Sequence, residues 1–319
     1  MTTTDVAGTS DPGSRLEAKR VRVERYDMEL GPLVHLADER RRLAGLRYEH
    51  VAVEPRGVTL GAEVSGIDLG GELSDAAVAE IRRALLDHKV LVFRDQRITS
   101  AQHVAFARRF GDLEVHPFIT GNDEHPELVR FEKGADTGGF ENGWHHDVTW
   151  REVPSMGAIL HAIQVPATGG DTLFADMAAA YDGLDADIKA RCDGLVAVHD
   201  FMLAFSGQVP PGQEDEMRAR YPLVRHPVIR THPETGRKII FVNAFFTSHI
   251  EGLDDAEGVE LITHLARQAA TVEYQYRVQW EPDTVVFWDN RTVQHYASSD
   301  YYPDIRIMER ASIVGDRPA

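Results

Sequence analysis

The chain has 319 residues, 43% of them hydrophobic and 27% charged, which suits a soluble globular protein with a sizeable core. Its formal net charge of −17 would repel a phosphate backbone and argues against a nucleic-acid binder. The single cysteine, Cys192, excludes an internal disulfide framework and thiolate metal clusters. No apolar run approaches the roughly 18 residues of a membrane span, and the N-terminus lacks the apolar core of a signal peptide, so a cytoplasmic protein without membrane contact is expected.

Residues 1–15 are small and polar and are expected to be disordered; residues 16–47 are rich in charge, including Glu39-Arg40-Arg41-Arg42, and read as a docked helix or a solvated arm. This N-terminal extension, 1–47, precedes a folded domain at 48–319. Val51-Ala52-Val53 and Val58 to Val64 look like short strands. Ser74 is placed to cap a helix carrying Val78, Ile81, Ala84 and Leu85 on one face. Val90 to Phe93 reads as a buried strand and Ser100 to Phe110 as a second amphipathic helix. From Asp147 onward, strands are expected at Gly157–Ala162, Thr172–Phe174, Lys238–Val242, Tyr274–Val278 and Thr284–Trp288, with helical inserts at about 176–192 and 254–270. The fold class is mainly β with flanking helices. Its core is a double-stranded β-helix, or jelly roll, able to hold a ligand in its barrel-like mouth.

Within this pattern, Trp144-His145-His146-Asp147 is answered far downstream by Trp288-Asp289-Asn290-Arg291 and His295. On an extended strand, residues two apart point the same way, so His145 and Asp147 can reach one metal while His146 faces away. Two imidazoles and a carboxylate are the ligand set of a facial triad, which holds Fe(II) and leaves the opposite positions open. Further on, Arg306 to Ile313 nearly alternates. As a strand it puts Arg306, Met308, Arg310 and Ser312 on one face, with Glu309 breaking an otherwise apolar second face. A guanidinium presents a planar fork to a carboxylate or sulfonate, so two such residues could hold two anions in one cavity.

The segments WHHDVTW (144–150), GGDTLFADM (169–177), HPVIRTHPETGRK (226–238), FVNAFFT (241–247), WDNRTVQHYASSDYYP (288–303) and RIMERASIVGDRP (306–318) carry a specific resemblance. Together they resemble the taurine dioxygenase and 2,4-dichlorophenoxyacetate dioxygenase family from about residue 48 to the C-terminus. Enzymes of that family use Fe(II), O2 and 2-oxoglutarate as cosubstrate. The resemblance implies that His145, Asp147 and His295 are the catalytic iron ligands. It implies that Arg306 binds the distal carboxylate of 2-oxoglutarate and Thr172 also contacts it, that Arg310 holds the substrate's anionic group, that His116 is a substrate-side histidine, and that Phe205 and Phe246 wall the substrate pocket. Ile119 and Glu141 stand where the taurine enzyme has a tyrosine and an asparagine, which puts taurine itself in doubt. Asp147, the carboxylate that related halogenases lose, is retained.

The expected reaction is oxidation, by default hydroxylation, of an unactivated C–H bond of a small anionic substrate (sulfonate, sulfate ester or carboxylate), with release of succinate and CO2. A tailoring oxidation in specialised metabolism, by desaturation or oxidative decarboxylation of an amino-acid-derived acid, is the alternative within the family. Outside it stand a zinc-dependent hydrolase and a non-catalytic small-molecule binding barrel, because two histidines and a carboxylate also bind zinc. Whether the chain forms a homo-oligomer stays open.

Overall fold

The period of two along each strand sorts the chain into layers. In Val90–Phe93, Val90 and Val92 face one way and join Ala158, Leu160, Val286, Trp288 and Met308. Leu91 and Phe93 face the other way, where Ile159, Val285 and Phe287 meet Ile81, Leu85, Val104 and Phe106 from two helices. The first set belongs to a seven-stranded sheet in the order Ala52–Pro55, Ala62–Ser65, Val90–Phe93, Val285–Asp289, Gly157–Gln164, Arg306–Ile313 and Leu128–Lys133. Its pairs are antiparallel apart from the parallel contact between Ala62–Ser65 and Val90–Phe93. Against its inner face lie Phe174, Val278 and Val293, from a three-stranded sheet ordered Gln275–Val278, Thr172–Asp176 and Val293–Ala297. The two sheets make the expected jelly-roll core, but they do not close into a barrel. This computed structural model describes residues 21–23, 28–31, 33–116, 121, 124–135, 137 and 142–319, so the expected disorder of residues 1–15 lies outside the described residues.

Most elements fall where the pattern predicts, with shifted ends. Ser74 accepts a hydrogen bond from the Ala77 N–H and opens the helix Asp75–His88. The next helix is capped by Thr99 in a reciprocal box with Gln102 and stops at Ala107 instead of Phe110. Residues 57–60 bend, leaving only Ala62–Ser65 as a strand. The insert near 176–192 is two short helices, Met177–Gly183 and Ala186–Cys192. Glu309 is buried on the outer face of its strand, accepting a hydrogen bond from Ser100 Oγ at 2.9 Å, so its break in the apolar pattern is matched by a partner. No described helix is long and apolar enough to cross a membrane.

Both ends of the described chain are tied to the core through buried cations. The charged run is part of a docked helix, Leu36–Gly45, with Leu36 and Leu43 buried. From it Glu39 reaches Lys89 Nζ at 3.2 Å and Arg237 at 3.0 Å. Lys89 is itself buried, and its ammonium also meets Asp176 at 3.1 Å and the Thr59 carbonyl. At the other end, Asp316 accepts a hydrogen bond from the fully buried Arg230 at 2.8 Å, and the Ala319 carbonyl accepts the Thr231 N–H.

Burial pushes the Glu39 carboxyl up, but Arg42, Lys89 and Arg237 outweigh it and bring its pKa down to about 2, against an ordinary 4.5. A lowered carboxyl contributes stability that is full above about pH 4.5 and is lost as pH falls toward 2. Glu39→Gln should therefore cost about 1–2 kcal/mol at pH 7, lowering Tm by roughly 1.5–3 °C. The difference from wild type should shrink in melts at pH 3. A pH-independent difference would show that the charge of Glu39 is not what docks the helix.

Candidate active site

Backbone pairing delivers the two imidazoles. The N–H groups of His145 and His295 each donate to the other's carbonyl, at 3.1 and 2.8 Å, so the rings lie with centroids 4.3 Å apart. Beyond this bridge the chain does not continue as the expected strand: residues 147–150 form a turn. The outcome for the side chains is nevertheless the expected one. Asp147 comes to the imidazole side, its Oδ1 at 3.8 Å from each Nε2, while His146 is buried on the other side against Phe241. One donor atom from each of His145, Asp147 and His295 lies within 4.8 Å of the others.

The surroundings fix these groups. His145 Nδ1 donates to the Gly143 carbonyl at 2.8 Å, which leaves the Nε2 lone pair toward the cavity, and Phe245 stacks on the ring at 4.8 Å. The Asp147 N–H donates to Asn290 Oδ1 at 2.7 Å, and Asn290 Nδ2 donates to the carbonyls of Asp147 and Ser155. Asp289 is gripped by Arg291 at 2.7 Å and by His232 at 3.0 Å, closing the turn from which the chain enters the strand carrying His295.

Electrostatics favour an anionic Asp147 beside a neutral His295. Burial opposes ionisation of Asp147, but Arg310 Nη1, 3.2 Å from Oδ2, holds it well below the usual carboxylate range. Burial, with His145 nearby, pushes His295 down to about 3. Burial, with Arg310 and Arg151 nearby, pushes His116 down to about 4. Neutral imidazoles keep the lone pairs that a metal requires.

Arg306 and Arg310 lie on the Arg306–Ile313 strand and share its inner face with Met308. Arg310 lies over the Phe131 ring at 4.9 Å. Arg306 lies 5.6 Å from the Trp280 ring, and Trp280 Nε1 donates to Thr172 Oγ1 at 3.0 Å, leaving the threonine hydroxyl proton to donate elsewhere. Gly170 adopts φ +68; a Cβ there would stand 3.2 Å from Arg306 Cδ and from the Tyr301 ring, so its bareness gives Arg306 room.

All nine residues singled out in the sequence (His116, His145, Asp147, Thr172, Phe205, Phe246, His295, Arg306 and Arg310) line one cavity of about 140 Å³. Ile119 and Glu141 lie outside the described residues. Sequence reasoning missed Asn290, Phe245, Trp280 and Phe131. Asn290 and Phe245 each left a signal, since both lie inside quoted segments, 288–303 and 241–247.

The donor set fits a divalent metal: two imidazole nitrogens and one carboxylate oxygen converge, and two guanidiniums line the same cavity. A jelly-roll core with this site defines a non-haem iron oxygenase of the 2-oxoglutarate class. The family described as "Taurine catabolism dioxygenase TauD, TfdA family" matches residues 52–312, and the chain belongs to it. It is similar to an alkylsulfatase of Acinetobacter baylyi, 35% identical over 265 residues, covering 81% of this chain and 83% of the relative. It is also similar to the (S)-phenoxypropionate/alpha-ketoglutarate-dioxygenase of Sphingobium herbicidovorans, 36% identical, covering 83% and 95%. Among solved structures, a taurine dioxygenase from Burkholderia xenovorans superposes with a TM-score of 0.73 at 35% identity, covering 85% of this chain and 91% of that one. AAD-2 in complex with Mn(II) and N-oxalylglycine superposes with a TM-score of 0.74 at 31% identity, covering 85% and 99%.

The protein is therefore an Fe(II)- and 2-oxoglutarate-dependent dioxygenase using O2, and the zinc-hydrolase and binding-only alternatives fall away. If Arg306 needs the space beside Gly170, Gly170→Ala should raise the KM for 2-oxoglutarate about tenfold, roughly 1.4 kcal/mol, with little change for the substrate. Succinate assays varying each in turn would check this; an unchanged 2-oxoglutarate KM would remove Gly170 from the site.

Proposed function

We propose that this enzyme hydroxylates a C–H bond of a small organic anion with an apolar body, the anion being a sulfonate, a sulfate ester or a carboxylate. The observation that carries the proposal is one cavity in which His145, Asp147 and His295 converge, Arg306 and Arg310 share a face, and aromatic rings form much of the remaining wall. The names of the relatives, an alkylsulfatase and a phenoxypropionate dioxygenase, support anionic substrates with alkyl or aryl bodies.

His145, Asp147 and His295 would hold Fe(II), which with 2-oxoglutarate and O2 supplies the oxidising power and releases succinate and CO2. Arg306 anchors the distal carboxylate of 2-oxoglutarate, and the Thr172 hydroxyl donates a second bond to it. Arg310 clamps the substrate's anionic group from beside Asp147, with the neutral His116 lining the same cavity. Phe205, Phe246, Phe245 and Trp150 pack around the apolar body and keep water from the reacting carbon. Holding the substrate in this way fixes which carbon faces the metal.

Three measurements test the assignment. Succinate formation from 2-oxoglutarate should be stimulated by alkyl sulfates, sulfonates or aryloxy acids in a substrate panel; stimulation confined to uncharged compounds would reject the anion reading. His295→Ala should abolish iron-dependent turnover, and wild-type activity in that variant would refute the ligand set. Arg310→Ala should raise the substrate KM by roughly 10–150-fold, the loss of a charge-assisted pair of about 1.5–3 kcal/mol, and leave the KM for 2-oxoglutarate within a few-fold. The reverse pattern would exchange the roles of the two arginines.

A further inference from the structure

Asn290 holds both backbone polar groups of Asp147. Its Oδ1 accepts the Asp147 N–H at 2.7 Å, and its Nδ2 donates to the Asp147 carbonyl at 3.1 Å and to the Ser155 carbonyl at 3.0 Å. Asn290 is almost fully buried, so these bonds have no competition from bulk water. The residue after Asp147 is Val148, at φ +50, a left-handed conformation that is unfavourable for a β-branched side chain. With one bond to the N–H and one to the carbonyl, Asn290 holds the peptides on both sides of Asp147 against the relaxation that Val148 favours, and so fixes the direction of the Asp147 Cα–Cβ bond.

The remainder of the turn is held by other groups. His226 Nε2 reaches the carbonyls of Thr149 at 2.8 Å and Arg151 at 3.0 Å. His199 Nδ1 and Asn243 Nδ2 meet Thr149 Oγ1 at 2.9 and 3.3 Å. These contacts fix residues 149–151, whereas Asn290 acts on Asp147 directly.

We infer that Asn290 is a positioning residue, which holds the backbone on both sides of Asp147 in the orientation that aims its carboxylate at the same point as His145 and His295. This rests on the reading of those three residues as metal ligands.

The test is Mn(II) affinity of the full-length protein, measured from the electron paramagnetic resonance of free Mn(II) at a temperature where each variant is folded. Asn290→Ala should raise the Mn(II) Kd about 10–100-fold, the usual effect of losing a group that orients a metal ligand. Val286→Ala, a fully buried position on the inner sheet face, serves as the control: it should lower Tm and leave the Kd within about twofold. Asn290→Asp keeps the acceptor for the Asp147 N–H but turns an oxygen toward two carbonyls. It too should weaken Mn(II) binding, and it decides the matter should Asn290→Ala fail to fold. A wild-type Mn(II) Kd in whichever variant folds overturns the inference. Wild-type protein that binds no Mn(II) would instead overturn the metal reading on which the inference stands.

Discussion

A carboxylate buried among aromatic rings must be matched by positive charge, and the site is organised around that requirement at Asp147. Taking the group out of water is costly unless partners replace its hydration. Arg310 supplies one such partner from a neighbouring strand, and a divalent metal held by His145, Asp147 and His295 would supply a stronger one. The same low-polarity walls that make an unmatched charge costly also strengthen each matched interaction.

Strand geometry sets the two guanidiniums apart within the cavity. Arg306 and Arg310 are four residues apart on one strand, so they share a face and sit about 13 Å apart along it. Arg310 lies beside Asp147, whereas Arg306 lies near Trp280 and Thr172, on the side of the second sheet. A slip of one residue in the pairing with Gly157–Gln164 would turn both guanidiniums out of the cavity. Glu309, which faces the opposite way and meets Ser100, ties that register to a helix on the outer layer.

Much of this was legible in the sequence because it depends on spacing. The period of two at Arg306–Ile313 is written in the residues themselves, and so is the pairing of His145 and Asp147 with a distant His295. What was not legible depends on contacts between remote segments. Nothing local marks Val148 as left-handed, since a β-branched residue predicts extended backbone; the turn at 147–150 exists because Asn290, His226 and Asn243 hold it from outside. Strands of three or four residues such as Val196–His199 and Ile229–Thr231 are too short for alternation to stand out, and neighbours decide their pairing. The ring stacked on His145 comes from Phe245, one position before the Phe246 that the family resemblance singled out, a difference that only the folded loop distinguishes.

The span shared with the family, residues 52–312, is not the span that balances the protein's interior charge. Glu39 lies before it and Asp316 after it, and each is the counter-ion of a cation sealed in the core, Lys89 and Arg230. A chain cut to the shared span would keep every residue assigned a role in the chemistry. It would leave Arg230 without its Asp316 partner and Lys89 with Asp176 as its one carboxylate, and the segments outside residues 52–312 thus act as the stopper that closes the fold at both ends.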